Sequence, residues 1–154
     1  MFCILYHAKI VIPSNVGVIP KHAFEHFEKL EELTISANVK TIQSYAFSGC
    51  DNLKRIVFDS SPTVDDCAFN LIPPSKLEEI TFLKAPPKFT KYAFGLFRLS
   101  YIKPLTIKVK RDFLNDAKLA IARIISDNIT DKSNDGQKKI ETILNSKNFT
   151  FEII

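Results

Sequence analysis

An Ala-Phe pair recurs at Ala23-Phe24, Ala46-Phe47, Ala68-Phe69 and Ala93-Phe94, in successive steps of 23, 22 and 25 residues. A period of that length constrains the chain to a repeat architecture. A unit so short cannot bury an apolar face alone and has to stack on its neighbours.

Satellite positions keep the same phase. An apolar residue stands four after each alanine (Phe27, Cys50, Ile72, Phe97), and a Leu or Ile follows at seven to nine (Leu30, Leu53, Leu77, Ile102). A short alternating segment comes next in every copy, with Leu33 and Ile35, Ile56 and Phe58, Ile80 and Phe82, and Leu105 and Ile107 at every second residue. Period two places these side chains on one face of a strand and their neighbours on the other. Val16 and Ile19, then Val39 and Ile42, lie seven and four residues before the alanine, and Val64 and Phe89 hold the nearer position. A second short apolar segment therefore opens each turn. Ile10 and Ile12 precede Ala23 as Ile35 precedes Ala46, so the chain begins inside a repeat. Repeats three and four each carry two extra residues before the leucine position, marked by Pro73 and Pro74 in the third; such insertions fall in surface loops.

The second copy, VKTIQSYAFSGCDNLKRIVF, resembles the BspA-like leucine-rich repeat family, whose turns read approximately V-x-x-I-x-x-x-A-F-x-x-C-x-x-L-x-x-I-x-I. The first copy, VGVIPKHAFEHFEKLEELTI, departs at Phe27, and the third and fourth are looser. The resemblance covers about residues 8 to 109. It implies an α/β leucine-rich-repeat solenoid of about four turns with parallel short strands, and a ligand-binding scaffold of the kind found in surface adhesins of bacteria and protists, with no catalytic signature.

Thirteen Phe and four Tyr, with no Trp, fit a ladder in which one aromatic per turn stacks on the next. Each fully buried Phe contributes roughly 1.5 to 3 kcal/mol. The three cysteines, Cys3, Cys50 and Cys67, form no CxxC, and Cys50 takes a repeat position held elsewhere by Phe and Ile, so it reads as a small core hydrophobe. An odd cysteine count points to a reducing compartment. His22 and His26 are four apart but lack a third ligand, and read as exposed loop histidines; no metal or cofactor is expected.

After Val109 the period becomes helical. Phe113, Ala117, Ala120, Ile121, Ile124 and Ile125 share a face of a helix predicted from about Asp112 to Ser126, with Asp112 as N-cap or first-turn acid. A polar loop, SDNITDKSNDG, leads to a second predicted helix, about Asp135 to Asn145, presenting Ile140, Ile143 and Leu144. Phe149, Phe151 and Ile153 then alternate as a short strand. The chain divides into residues 1–111, a partial repeat plus four complete ones, and residues 112–154, a helical C-terminal cap shielding the last turn.

Function has to be sought on a surface. There is no GxSxG, no HExxH and no Gly-rich phosphate loop, with four glycines in all. The acidic pairs Glu31-Glu32, Asp65-Asp66 and Glu78-Glu79 are adjacent, and neighbours on a strand point to opposite faces, which makes them poor acid and base partners. The net charge of +4 is spread: residues 1–100 carry eleven basic and ten acidic side chains, residues 101–154 ten and seven. Nucleic acid is not an expected partner, and Lys108, Lys110 and Arg111 fall short of a phosphate-binding patch. If the strands stack in parallel, an outward row forms from Lys9 and Val11, Glu32 and Thr34, Arg55 and Val57, Glu79 and Thr81, and Thr106 and Lys108. This mixture of charge, hydroxyl and aliphatic groups suits a protein partner. The expected role is a non-catalytic protein-binding module using that row; the alternative is a structural subunit of a larger assembly that meets its neighbours, or further copies of itself, through its ends. Only half a turn precedes the first complete repeat, so Phe2, Ile4 and Leu5 folding back as a lid, or end-to-end pairing, is expected to cover that end. The opening MFCILYHAKIV is neither a signal peptide nor long enough to span a bilayer. Met1 as the natural start implies a cytoplasmic protein, and a fragment of a longer family member implies the cell surface.

Overall fold

The computed structural model describes residues 8–72, 75–90, 92–95, 104–125 and 149–154, with Lys138, Glu141, Thr142, Leu144 and Asn145. Every repeat supplies a long and a short strand to two separate sheets. The long strands are β1 (Lys9–Val11), β3 (Glu32–Ile35), β5 (Arg55–Phe58), β7 (Glu79–Phe82), β9 (Leu105–Val109) and β10 (Phe149–Ile153). They form one six-stranded sheet in the order β1-β3-β5-β7-β9-β10, parallel throughout. The short strands β2 (Val18–Ile19), β4 (Thr41–Ile42), β6 (Thr63–Val64) and β8 (Lys88–Phe89) form a second parallel sheet in chain order. The chain is a parallel solenoid of about four turns.

Alternation decides what each strand buries. Leu33, Ile56, Ile80 and Ile107 stand in register on the inner side, as do Ile35, Phe58, Phe82 and Val109, and all eight are buried. From the other sheet Ile19, Ile42 and Val64 are buried, with Phe89 half-buried on the same line. The Ala-Phe segments close the turn. The amides of Phe24, Phe47 and Phe69 donate to the carbonyls of Ala46, Ala68 and Ala93 at 2.8, 2.7 and 2.8 Å. The rings of Phe24, Phe47, Phe69 and Phe94 lie over one another, with centroids 5.1, 5.2 and 5.4 Å apart and planes 2°, 7° and 21° from parallel. They form one stack inside one core, as the period required. Phe24 at its open end is half-buried, and Ala23 is exposed where Ala46, Ala68 and Ala93 are buried.

One repeat position departs from expectation. Ile72 is not a core residue: it is 52% exposed and its neighbour Leu71 is 5% exposed, because the Phe69 carbonyl takes the Leu71 amide and turns the chain a residue early. Of the two roles expected of Asp112 it takes that of first-turn acid: Lys110 is the N-cap residue, without a side-chain cap, of a 3-10 turn, Arg111–Phe113, which runs into helix α1 (Leu114–Ile125). α1 buries Ala117, Ile121, Ala122 and Ile124 in the same core as the repeats; Ala120, Ile125 and Phe113 are half-buried. The expected last strand forms and joins the main sheet beside β9, from Phe149 on Leu105 to Ile153 on Val109. The described residues from Lys138 to Asn145 are helical, and Leu144 is buried. Ile140, Ile143, Phe97, Ile102 and the proposed Phe2, Ile4 and Leu5 lid lie outside the described residues, as do Cys3, Pro73 and Pro74.

Candidate partner-binding face

The outer side of the six-stranded sheet carries the ten residues the alternation singled out, in two parallel lines. One line runs Lys9, Glu32, Arg55, Glu79, Thr106, and the other Val11, Thr34, Val57, Thr81, Lys108. β10 extends both, adding Thr150 to the first and Glu152 to the second. Both stand outside the row expected from the repeats. The alternation of Phe149, Phe151 and Ile153 already places Thr150 and Glu152 on the opposite side of that strand, but period two alone does not say which sheet a strand joins.

Charge alternates along the face from strand to strand. Lys9 Nζ lies 3.4 Å from Glu32, Arg55 holds the other Glu32 oxygen, Lys108 Nζ lies 2.8 Å from Glu79, and Glu152 stands 4.0 Å beyond Lys108. Cross-strand placement of opposite charges is the favourable arrangement on a sheet. The Arg55 hydrogen bond holds the Glu32 carboxyl below its ordinary value, and Glu79 raises the Lys108 ammonium above its own. A third line starts one residue earlier, where Lys54 Nζ bonds Glu31 at 2.9 Å. The adjacent carboxylates Glu31 and Glu32 are thus taken by different cations.

The second line is uncharged over its first strands. Val11 is 54% exposed, and Thr34 and Val57 are half-buried. Thr81 departs from the expected row. It is only 7% exposed and its hydroxyl donates to Glu79 at 3.2 Å, so it is removed from the accessible surface.

Away from this face, the residue preceding the alanine adopts a left-handed backbone in three successive turns: His22, Tyr45 and Cys67, with φ of 61°, 63° and 61°. Their side chains form an outer ladder. The His22 ring stacks on Tyr45 at 5.3 Å and bonds Glu25 through Nδ1 at 2.7 Å, and side-chain hydrogen bonding to Cys67 pushes the Tyr45 phenol up. Only His22 belongs to the residue types enriched in this conformation, and Tyr45 and Cys67 carry no local signal for it. Among the described residues no group of three or more His, Cys, Asp or Glu side chains could hold a metal ion. Among them, too, no helix is long and apolar enough to cross a membrane.

The family model for the BspA type leucine rich repeat region matches residues 1–116, in six copies. The chain belongs to that family. No curated protein and no solved structure matches it. A BspA-type leucine-rich repeat of this form is a scaffold often used for protein interaction, and the solenoid is typically non-catalytic.

Proposed function

We propose that this BspA-type repeat is a non-catalytic protein-binding module whose partner lies across the outer face of the six-stranded sheet. The observation that carries the reading is the line Val11, Thr34 and Val57: accessible β-branched side chains in register on three neighbouring strands, flanked by charges that already neutralise one another. A β-branched line is stiff at χ1, so little side-chain freedom is lost when a partner covers it. The flanking ladder gives the face alternating sign and no net field, which favours a protein of mixed polarity over a polyanion.

Affinity capture from the native source, followed by mass spectrometry, tests the reading with Thr34→Arg and Val57→Arg introduced together. These changes leave Lys9, Glu32, Arg55 and Glu79 in place. Proteins captured by the wild-type chain should be lost from the variant while its Tm stays within a few degrees. An unchanged set of captured proteins removes the face as the binding surface. Reversing Glu32, Arg55 and Glu79 together is the less clean variant, since it sets like charges against Lys9 and Lys108 inside the chain itself.

A further inference from the structure

The six-stranded sheet ends at both sides in a strand with one neighbour: among the described residues β1 pairs only with β3, and β10 only with β9. We propose that these two edges are complementary, and that β10 of one copy pairs in parallel with β1 of a second copy to continue the sheet head to tail.

The hydrogen-bonding sense of the edges fits. In a parallel ladder, alternate residues direct both N–H and C=O to the same side. Ile154 donates to the Val109 carbonyl and Ile12 to the Thr34 carbonyl, so the intervening residues face the other way. Phe149, Phe151 and Ile153 on β10, and Lys9 and Val11 on β1, therefore turn their backbone groups outward. Extending the existing register by one strand sets Lys9 of the second copy opposite Thr150 and Val11 opposite Glu152. Lys9 then donates to the Phe149 carbonyl and Val11 to that of Phe151, and the amides of Phe151 and Ile153 donate to the carbonyls of Lys9 and Val11. Among the described residues no donor or acceptor in this set is already used.

Side chains fit in the same register. Ile10 continues the inner line that ends on Phe151, and Ile12 the line that ends on Ile153, which is 45% exposed in the single copy. The charge ladder begins with a cation and ends with an anion, so a β1 edge meeting a β10 edge sets Lys9 near Glu152 and preserves the alternation. A symmetric pairing of two like edges is antiparallel; centred on Ile10 it sets Lys9 opposite Val11, and centred on Phe151 it sets Glu152 opposite Thr150, so the two like charges stand diagonally across the seam and no cation meets an anion. Complementary charge thus selects head to tail over either symmetric arrangement, and a contact of this heterologous kind is open-ended. α1 lies on the inner side of these strands, with Lys118 Nζ 5.8 Å from the Phe151 ring centroid.

Proline at an outward-facing position removes an edge donor without breaking a bond inside the monomer. Val11→Pro blocks the β1 edge and Phe151→Pro the β10 edge. In sedimentation velocity over a rising concentration series, the wild-type chain should pass from its 17.5 kDa monomer to larger species. Each proline variant alone should remain monomeric, and an equimolar mixture should form a 1:1 dimer and nothing larger, because one competent edge of each kind remains. A wild-type chain that is monomeric at every concentration overturns the proposal. So does either variant associating alone, or a mixture that stays monomeric while both variants keep the wild-type circular dichroism. Should a proline variant lose that spectrum, Lys9→Glu and Glu152→Lys take its place. Each repels its own kind and should stay monomeric, and their mixture should associate; a mixture no heavier than its parts overturns the pairing equally.

Discussion

Phe47 lies flat over Phe69, ring centroids 5.2 Å apart and planes 7° from parallel, and both rings are fully buried. Consecutive turns thus share a rung, and what one turn contributes to stability is measurable at its ring. Phe47→Ala and Phe69→Ala should each cost about 3–5 kcal/mol in urea denaturation. Phe24→Ala, at the half-buried end of the stack, should cost visibly less. Equal losses at all three positions would show that the open end is as well packed as the middle.

Gly49 has φ +72°, and a Cβ there would fall on the His26 ring, whereas Gly17 has open space around it and no positive φ. Gly49→Ala should therefore destabilise by about 1 kcal/mol or more, because an L-residue is forced into the left-handed region. Gly17→Ala should be neutral or stabilising by up to about 1 kcal/mol through the unfolded chain. Denaturant midpoints of the two variants, compared directly, decide this.

Leu71 is buried in place of Ile72, the residue that the spacing points to. Leu71→Ala should cost about 2–5 kcal/mol, and Ile72→Ala should stay within about 0.5 kcal/mol of wild type. The reverse order in thermal unfolding would restore the spacing-based assignment.

Glu32 keeps its charge in the fold to lower pH than its ordinary 4.5, chiefly through the Arg55 hydrogen bond. The unfolded chain therefore takes up the proton first. The stabilisation is present above that ordinary value and is lost as pH falls through the depressed one. Glu32→Gln should flatten the acid limb of Tm against pH, and high salt should shrink the difference between the two proteins. Lys108 behaves oppositely. Its raised value means stability present below 10.5 and lost on the alkaline side, a limb that Lys108→Gln should flatten.

Burial pushes the Cys50 thiol up to about 12, and it donates to the Phe24 carbonyl at 3.2 Å inside the core. Only the thiolate reacts readily. At neutral pH a maleimide should label the half-buried Cys67 while Cys50 stays unmodified until the chain unfolds, as peptide mass mapping would show. Early labelling at Cys50 would mean that the second turn opens locally.

The rungs Phe24, Phe47, Phe69 and Phe94, the paired apolar strand positions and the two lines of the outer face were all legible in the sequence, because each depends on spacing alone. Thr81 shows the limit of such reading: alternation gives the direction of a side chain but not what lies over it. The left-handed backbone at Tyr45 and Cys67 was not legible either, since it falls on residue types that carry no local preference for it and recurs with the packing of the turns.

The sequence by itself determined the period, the buried face of each strand and hence the solenoid, because a repeated pattern of apolar residues allows only one way for every copy to bury the same side. Only the tertiary structure decided which sheet Phe149–Ile153 would join and which charges would neutralise one another. Both depend on which strands become neighbours, and neighbours such as Glu79, Lys108 and Glu152 are brought side by side across stretches of chain whose length carries no record of where they end.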